Sequence, residues 1–224
     1  MIDDSPQVEV LADAESVAKR AAELVADWAR KAVAERGRFT FAVSGGRTPW
    51  VMFARLADED VPWAQTAIYQ VDERVAPAGD PDRNLVHLHE SLPADAEAEV
   101  HAMPVEEDDL VAAASSYARL LPERLDLVHL GLGPDGHTAS LVPGDAVLDV
   151  TAHDVAITGE YMGHRRMTLT YPPLERARQR LWLVTGDDKT DALRRLRAGD
   201  TSIPAGHVRD DHTIIVADAA AAGA

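Results

Sequence analysis

The chain of 224 residues contains no cysteine, which excludes disulfide bonds, thiolate metal ligands and cysteine nucleophiles. It has no apolar run approaching the roughly 20 residues of a membrane span, and its first residues lack the basic start of a secretory signal. With 22 basic against 38 acidic residues and a formal net charge of −16, it also lacks the cationic excess of nucleic-acid-binding proteins. We therefore expect a cytoplasmic protein that binds neither membranes nor nucleic acid.

The composition is otherwise that of a globular protein, with 46% hydrophobic and 27% charged residues. Apolar strands alternate with segments of helical periodicity along the chain. Strands are predicted at 7–11, 38–43, 66–71, 125–130, 154–157, 167–169, 181–184 and 213–216, and helices at 12–36, 49–56, 108–121, 172–178 and 189–197. The alternation predicts a single α/β domain over residues 1–224, with helices on both faces of a mostly parallel sheet. The small residues of 219–224 predict a frayed tail.

Two glycine-rich segments follow predicted strands. Ser-Gly-Gly-Arg-Thr-Pro at 44–49 opens a helix, and Gly-Leu-Gly-Pro-Asp-Gly-His at 131–137 follows the central strand. Glycines let the backbone approach a ligand closely, and the free N–H groups of a helix start attract anions. Because open α/β sheets bind ligands at the carboxyl ends of their strands, these loops predict a site for a small anion. A tight turn without a ligand is the structural alternative, and the sequence has no Walker motif for nucleoside triphosphates.

His137 is the candidate general base of this site, since an unperturbed imidazole titrates at about 6.5. Asp135 is expected to orient it or to raise its basicity. The alternative is a histidine that caps a helix or bonds to the backbone. Residues 131–136 also match the Gly-x-Gly-x-x-Gly pattern of dinucleotide sites. We expect no nucleotide cofactor, however, because Asp135 would lie beside the pyrophosphate and Pro134 lacks a backbone donor.

The remaining histidines give weaker indications. His87 and His89 have ligand-like spacing for a strand, but no third ligand and no His-Glu-x-x-His motif accompany them, so we expect no metal. His129 lies within the central strand and is predicted to be a hydrogen-bonded core residue.

Three further segments place charge at strand ends: Asp-Glu-Arg at 72–74, Arg-Arg-Met-Thr-Leu-Thr at 165–170, and Gly-Asp-Asp-Lys at 186–189. Each alone is typical of a solvated turn. In this order, and with the two glycine loops, they closely resemble the glucosamine-6-phosphate isomerase/6-phosphogluconolactonase family, and within it the 6-phosphogluconolactonases. The resemblance extends from about Val8 to Val216 and is most specific at residues 131–140.

The resemblance implies the fold of glucosamine-6-phosphate deaminase and a cofactor-free, metal-independent hydrolysis of 6-phospho-D-glucono-1,5-lactone to 6-phosphogluconate. This reaction belongs to the oxidative pentose phosphate pathway. By the family pattern, His137 is the base, and Asp72 and Arg74 lie near the sugar ring. The oxyanion is met by Arg74 or by glycine-loop N–H groups such as that of Gly133. The phosphate is held by Ser44, Gly45, Gly46, Arg47, Thr48, Arg166 and Lys189.

Two alternatives remain open. A deaminase or sugar-phosphate isomerase would use Asp72 to move a proton at carbon 2. The related deaminases carry Asn-Glu-Pro after the histidine, however, whereas this chain has Ser-Leu-Val-Pro at 140–143. A non-catalytic sugar-phosphate sensor would need a DNA-binding module, which we do not expect beside the acidic N-terminus. The only expected partner is the phosphosugar lactone, for a monomer or weak homo-oligomer. Arg83 departs from the family pattern, and its role is open.

Overall fold

The computed structural model describes residues 6–224, which form ten strands and seven α-helices. The strands are β1 (Gln7–Leu11), β2 (Phe39–Val43), β3 (Thr66–Gln70), β4 (Asp72–Arg74), β5 (Glu99–His101), β6 (Leu127–Gly131), β7 (Val155–Ile157), β8 (Arg166–Leu169), β9 (Arg180–Val184) and β10 (Thr213–Asp218). The helices are α1 (Ala14–Arg36), α2 (Arg47–Arg55), α3 (Asn84–Ser91), α4 (Leu110–Ala118), α5 (Tyr171–Glu175), α6 (Thr190–Arg197) and α7 (Ala219–Ala222).

Seven strands form one parallel sheet in the order β1-β10-β9-β6-β2-β3-β5. This confirms the predicted α/β architecture with a mostly parallel sheet. Strands β2 and β6 are neighbours, with Phe41 opposite Leu127. The two glycine loops that follow these strands therefore emerge side by side at the carboxyl edge of the sheet.

Helices cover both faces of the sheet, as predicted. Apolar residues of α1 and α2 pack with Phe41, Leu127 and their neighbours on one face, and those of α4 and α6 pack with Val128 and Leu130 on the other. Helix α1 has local start and stop signals. The Asp13 side chain accepts a hydrogen bond from the Ser16 backbone at 2.8 Å, and Gly37 closes the helix with a left-handed φ of 76°.

The predicted strands at 154–157 and 167–169 do not join the main sheet. They become β7 and β8 of a separate antiparallel sheet in the order β4-β8-β7. In its register Asp72 lies opposite Thr168, and Arg74 lies opposite Arg166. Because side chains alternate along a strand, Asp72, Arg74 and Arg166 share one face of this small sheet.

Two local predictions are wrong. His87 and His89 lie on helix α3 rather than on a strand, so their side chains diverge, and across residues 6–224 no three His, Asp or Glu side chains cluster as a metal site. Strand β5 was not predicted. Residues 219–222 form helix α7 instead of fraying, because Asp218 caps the Ala221 N–H at 2.7 Å. No helix within residues 6–224 combines the length and apolarity needed to cross a membrane.

Candidate active site

A cleft of about 170 Å³ opens at the carboxyl edge of the main sheet, where the two glycine loops meet the antiparallel sheet. The structure brings eight of the predicted site residues into its lining: Ser44, Gly45, Asp72, Arg74, Gly133, His137, Arg166 and Lys189. They come from distant parts of the chain. The parallel strands of the main sheet and the antiparallel pair of β4 and β8 together bring them to one edge.

Four other predicted residues lie outside this lining. Asp135 contacts the Nδ1 of His137 but does not line the cleft. Gly46, Arg47 and Thr48 line an adjoining cleft of about 810 Å³, which shares Gly45 and Lys189 with the first. Arg47 is exposed and makes no ion pair within residues 6–224, and the Thr48 hydroxyl lies 2.8 Å from that of Thr185.

His137 and Asp135 form a close pair. The Asp135 Oδ1 lies 2.6 Å from the His137 Nδ1 and also accepts the His137 backbone N–H at 3.1 Å. Partial burial opposes ionisation of Asp135, but the hydrogen bonds and charge of His137 outweigh it and hold the pKa of Asp135 below its ordinary value. An ionised carboxylate accepts the hydrogen on Nδ1, which leaves the lone pair on Nε2. In this tautomer the Nε2 of His137 is an unprotonated nitrogen that does not contact Asp135.

Close packing explains two glycines of the 131–137 loop, Gly133 and Gly136. A Cβ at Gly133 would lie 2.1 Å from the His137 Nδ1, and one at Gly136 would lie 2.5 Å from the Ile203 Cβ. The Gly133 N–H donates to the His137 carbonyl at 2.8 Å, and the Gly136 N–H donates to the Gly133 carbonyl at 3.0 Å. Both N–H groups are therefore engaged within the loop.

Arg166 is a buried cation without a carboxylate partner. Its exposed fraction is 6%, and its Nε has no hydrogen-bond partner among residues 6–224. Burial lowers the pKa of Arg166 and neighbouring Arg74 adds to this, whereas the charge of Asp72 opposes it. A buried charge that is not paired is costly. The guanidinium therefore favours binding of an anion in the cleft.

Asp72 and Arg74 are fixed by neighbours that the sequence analysis did not assign to the site. The Ser140 hydroxyl donates to the Asp72 Oδ2 at 2.6 Å, and the Asn84 Nδ2 donates to the Asp72 carbonyl at 3.0 Å. Arg74 in turn donates to the Asn84 Oδ1. Ser140 lies within residues 131–140, where the family resemblance is most specific, and this is the signal that points to it.

Glu73 lies on the opposite face of β4 from Asp72 and is fully buried. Its Oε1 accepts the backbone N–H groups of Arg74 and Asn84, each at 2.8 Å, and its Oε2 accepts that of Leu85 at 2.9 Å. The Arg83 Nε lies 3.1 Å from the same Oε2. This buried pair answers the open question on Arg83, since the two side chains anchor β4 to the start of α3.

Lys189 and Ser44 are already engaged by protein groups. The Lys189 Nζ pairs with the Asp188 Oδ2 at 2.9 Å. The Ser44 hydroxyl donates to the His129 carbonyl at 3.1 Å, and its N–H donates to the His129 Nδ1 at 3.3 Å. His129 is thus a bonded core residue, as expected, and complete burial lowers its pKa to about 3. Ser44 therefore supports the loop, and Lys189 lines the cleft with its charge paired to Asp188.

Tyr161, in the loop between β7 and β8, was also missed by the sequence analysis. Its hydroxyl lies 3.3 Å from the Asp135 Oδ2, its ring contacts the ring of His137, and the guanidinium of Arg166 lies over its face. No motif surrounds this tyrosine, so no sequence signal identifies it. The cleft as a whole combines one histidine, His137, with three basic side chains, Arg74, Arg166 and Lys189, and such a set of groups is suited to binding an anion.

Comparison with known proteins gives a consistent result. Residues 12–216 match the family described as glucosamine-6-phosphate isomerases/6-phosphogluconolactonase. The 6-phosphogluconolactonase of Synechocystis sp. is 36% identical over 205 residues, which cover 84% of each chain. A 6-phosphogluconolactonase from Shewanella baltica superposes with a TM-score of 0.87 at 25% identity over 97% of this chain and 99% of that one. A monomeric glucosamine-6-phosphate deaminase shares the fold, with a TM-score of 0.83 at 19% identity, covering 97% and 99% of the two chains.

Proposed function

Because this chain belongs to the glucosamine-6-phosphate isomerase/6-phosphogluconolactonase family, we propose that it hydrolyses 6-phospho-D-glucono-1,5-lactone to 6-phospho-D-gluconate. The names of the Synechocystis and Shewanella relatives support this substrate. The observation of this chain that carries the proposal is the buried, unpaired Arg166 in the same cleft as the His137–Asp135 pair. Arg166 binds the anion, and His137 removes the proton.

The phosphate of the lactone binds to Arg166 and Lys189. A guanidinium offers a planar set of N–H donors that matches phosphate oxygens, and in a buried site such charge-assisted bonds are strong. The Gly45 backbone lies beside Lys189 in the cleft lining. Gly46, Arg47 and Thr48 are proposed to contribute from the adjoining cleft. The anchor is remote from carbon 1, so it orients the ring without taking part in the bond changes.

The chemistry follows from the Nε2 lone pair of His137. Nε2 takes a proton from water as the water oxygen bonds to the lactone carbonyl carbon, and the carbonyl oxygen becomes an oxyanion near Arg74. When the tetrahedral intermediate collapses, the bond from carbon 1 to the ring oxygen breaks. The imidazolium returns its proton to that oxygen, which yields a free hydroxyl and a carboxylic acid that ionises. Asp135 holds the ring orientation throughout, and Asp72 lies beside the sugar.

A pH-stat assay on fresh lactone, corrected for spontaneous hydrolysis, tests this function. His137→Ala is expected to lower kcat by about 10²- to 10⁴-fold with little change in KM, because a positioned base acts in the transition state. His89→Ala is the matched control, since His89 is exposed on α3 and outside the cleft. Full turnover by His137→Ala would refute the base assignment. Ammonia release from glucosamine 6-phosphate without lactone hydrolysis would refute the lactonase itself.

A further inference from the structure

Tyr161 contacts three residues of the candidate site at once. Its hydroxyl lies 3.3 Å from the Asp135 Oδ2. Its ring meets the His137 ring edge-on, with centroids 5.6 Å apart and an interplanar angle of 66°. The Arg166 Cζ lies 5.0 Å from the centroid of the same ring. One side chain therefore links the carboxylate partner of the base, the base and the unpaired buried cation.

We propose that Tyr161 is a positioning residue, which aligns the Asp135–His137 pair through its hydroxyl and the Arg166 guanidinium through its ring. This inference rests on the proposed lactonase function and deepens it. It makes the β7–β8 loop a part of the site, although that loop carries none of the residues that react.

The hydroxyl acts on Asp135. The two oxygens of that carboxylate have separate partners, since Oδ1 meets the backbone and ring of His137 and Oδ2 meets Tyr161. The Asp135 side chain is 37% exposed, so without Tyr161 only water would fix its outer oxygen. Burial and the negative charge of Asp135 raise the pKa of Tyr161, which keeps the hydroxyl protonated and able to donate.

The ring acts on Arg166. A guanidinium that lies over an aromatic face is attracted by the ring without using its N–H groups. The contact therefore holds Arg166 while its edge remains available for phosphate oxygens. A carboxylate at this position would occupy the same N–H groups and compete with the substrate.

Short-range contacts fix Tyr161 in its loop. Its backbone N–H donates to the His164 carbonyl at 2.9 Å, and Gly163 between them has a left-handed φ of 82°. The His164 Nε2 lies 3.0 Å from the Asp82 Oδ2, in the segment that leads to α3. The loop is thus also tied to the segment that precedes α3.

Two substitutions separate the two roles. Tyr161→Phe keeps the ring and removes the hydroxyl, so kcat is expected to fall by about tenfold with KM unchanged. Without the donated hydrogen bond, the Asp135 carboxylate presents more negative charge to His137 and favours its protonated form. The acidic limb of the pH profile of kcat/KM therefore moves to higher pH. Tyr161→Leu also removes the ring, so KM is expected to rise by about fivefold in addition.

Tyr69→Phe is the matched control, because the Tyr69 hydroxyl has no hydrogen-bond partner in the described part of the chain and lies outside the cleft. Wild-type kcat, KM and pH profile in Tyr161→Phe would overturn the proposal while leaving the lactonase function intact. The ¹⁵N shifts of the His137 ring in the ligand-free protein provide a test that needs no activity. They change in Tyr161→Phe if the alignment is real, and unchanged shifts overturn it even if the wild type proves inactive on the lactone.

Discussion

Arg166 and Arg180 are two buried arginines on strands of the same molecule, with exposed fractions of 6% and 1%. The Nη1 of Arg180 donates to three carbonyl oxygens at and just beyond the end of α5, at 3.0–3.2 Å, and its Nη2 donates to the Asp211 Oδ1 at 2.6 Å. The guanidinium of Arg166 lies over the face of the Tyr161 ring and has no carboxylate partner in the described part of the chain. Burial lowers the pKa of both arginines, but only at Arg180 do protein acceptors take up the charge.

The difference distinguishes a structural arginine from one held ready for a ligand. A buried charge without a partner costs several kcal/mol, and an apolar residue of similar volume would be more stable there. A buried charged residue that has no partner and adds no stability is expected at a functional position. The two arginines therefore respond in opposite ways when their charge is removed.

The largest effect is expected at Arg180. Arg180→Met leaves three buried carbonyl oxygens without their donor and is expected to destabilise the fold by about 3 kcal/mol. The free energy of unfolding, measured by urea denaturation, is the direct test. The kcat/KM of the folded fraction stays at the wild-type value, because Arg180 lies outside the cleft lining. A stable Arg180→Met protein with impaired turnover would reverse the assignment.

Arg166→Met is expected to affect binding rather than folding. Loss of two charge-assisted hydrogen bonds to the phosphate weakens binding by about 2–3 kcal/mol, which raises KM by about 30- to 150-fold. The free energy of unfolding is not expected to fall, since an uncompensated buried charge is removed. Arg165→Met is the control, because the neighbouring Arg165 is exposed. An unchanged KM with a large loss of stability would place Arg166 with Arg180 among the structural arginines.

Local sequence signals were sufficient for the strands and loops that build the carboxyl edge. The helix α1 boundaries at Asp13 and Gly37, and the close approach of Gly133 to His137, depend on contacts between residues close in the chain. The contact between His137 and Asp135 spans only two residues and was also expected. These parts of the site needed no knowledge of the tertiary structure.

Long-range contacts account for what the sequence analysis missed. The residue that precedes helix α3 provides no side-chain cap. The first N–H groups of the helix donate instead to Glu73, which lies 11 residues before Asn84. The alternation of His87 and His89 was therefore misassigned to a strand. Likewise, Arg74 lies opposite Arg166 only because β4 and β8 pair in an antiparallel sheet, across about 90 residues of chain.

The smallest predicted effect concerns Lys189, which differs from Arg166 in having a carboxylate partner. The Asp188 Oδ2 lies 2.9 Å from its Nζ, and the side chain of Asp188 is 59% exposed. The substrate phosphate must displace this contact, so Asp188→Asn is expected to lower KM. Exposed ion pairs contribute at most about 1 kcal/mol, so the change is about two- to fivefold. KM for the lactone, measured at low and high salt, is the test.

Asp187→Asn is the matched control, because the side chain of Asp187 is exposed and makes no ion pair in the described part of the chain. Both substitutions remove one negative charge near the cleft, and only Asp188→Asn also frees the Lys189 Nζ. The general charge effect is shared and screened by salt over about 8 Å, whereas the direct competition for Nζ belongs to Asp188 alone. Equal falls in KM for the two variants would show that the general negative charge of the loop, and not the contact with Asp188, weakens phosphate binding by Lys189. The carboxylate partner would then not explain the difference between Lys189 and Arg166.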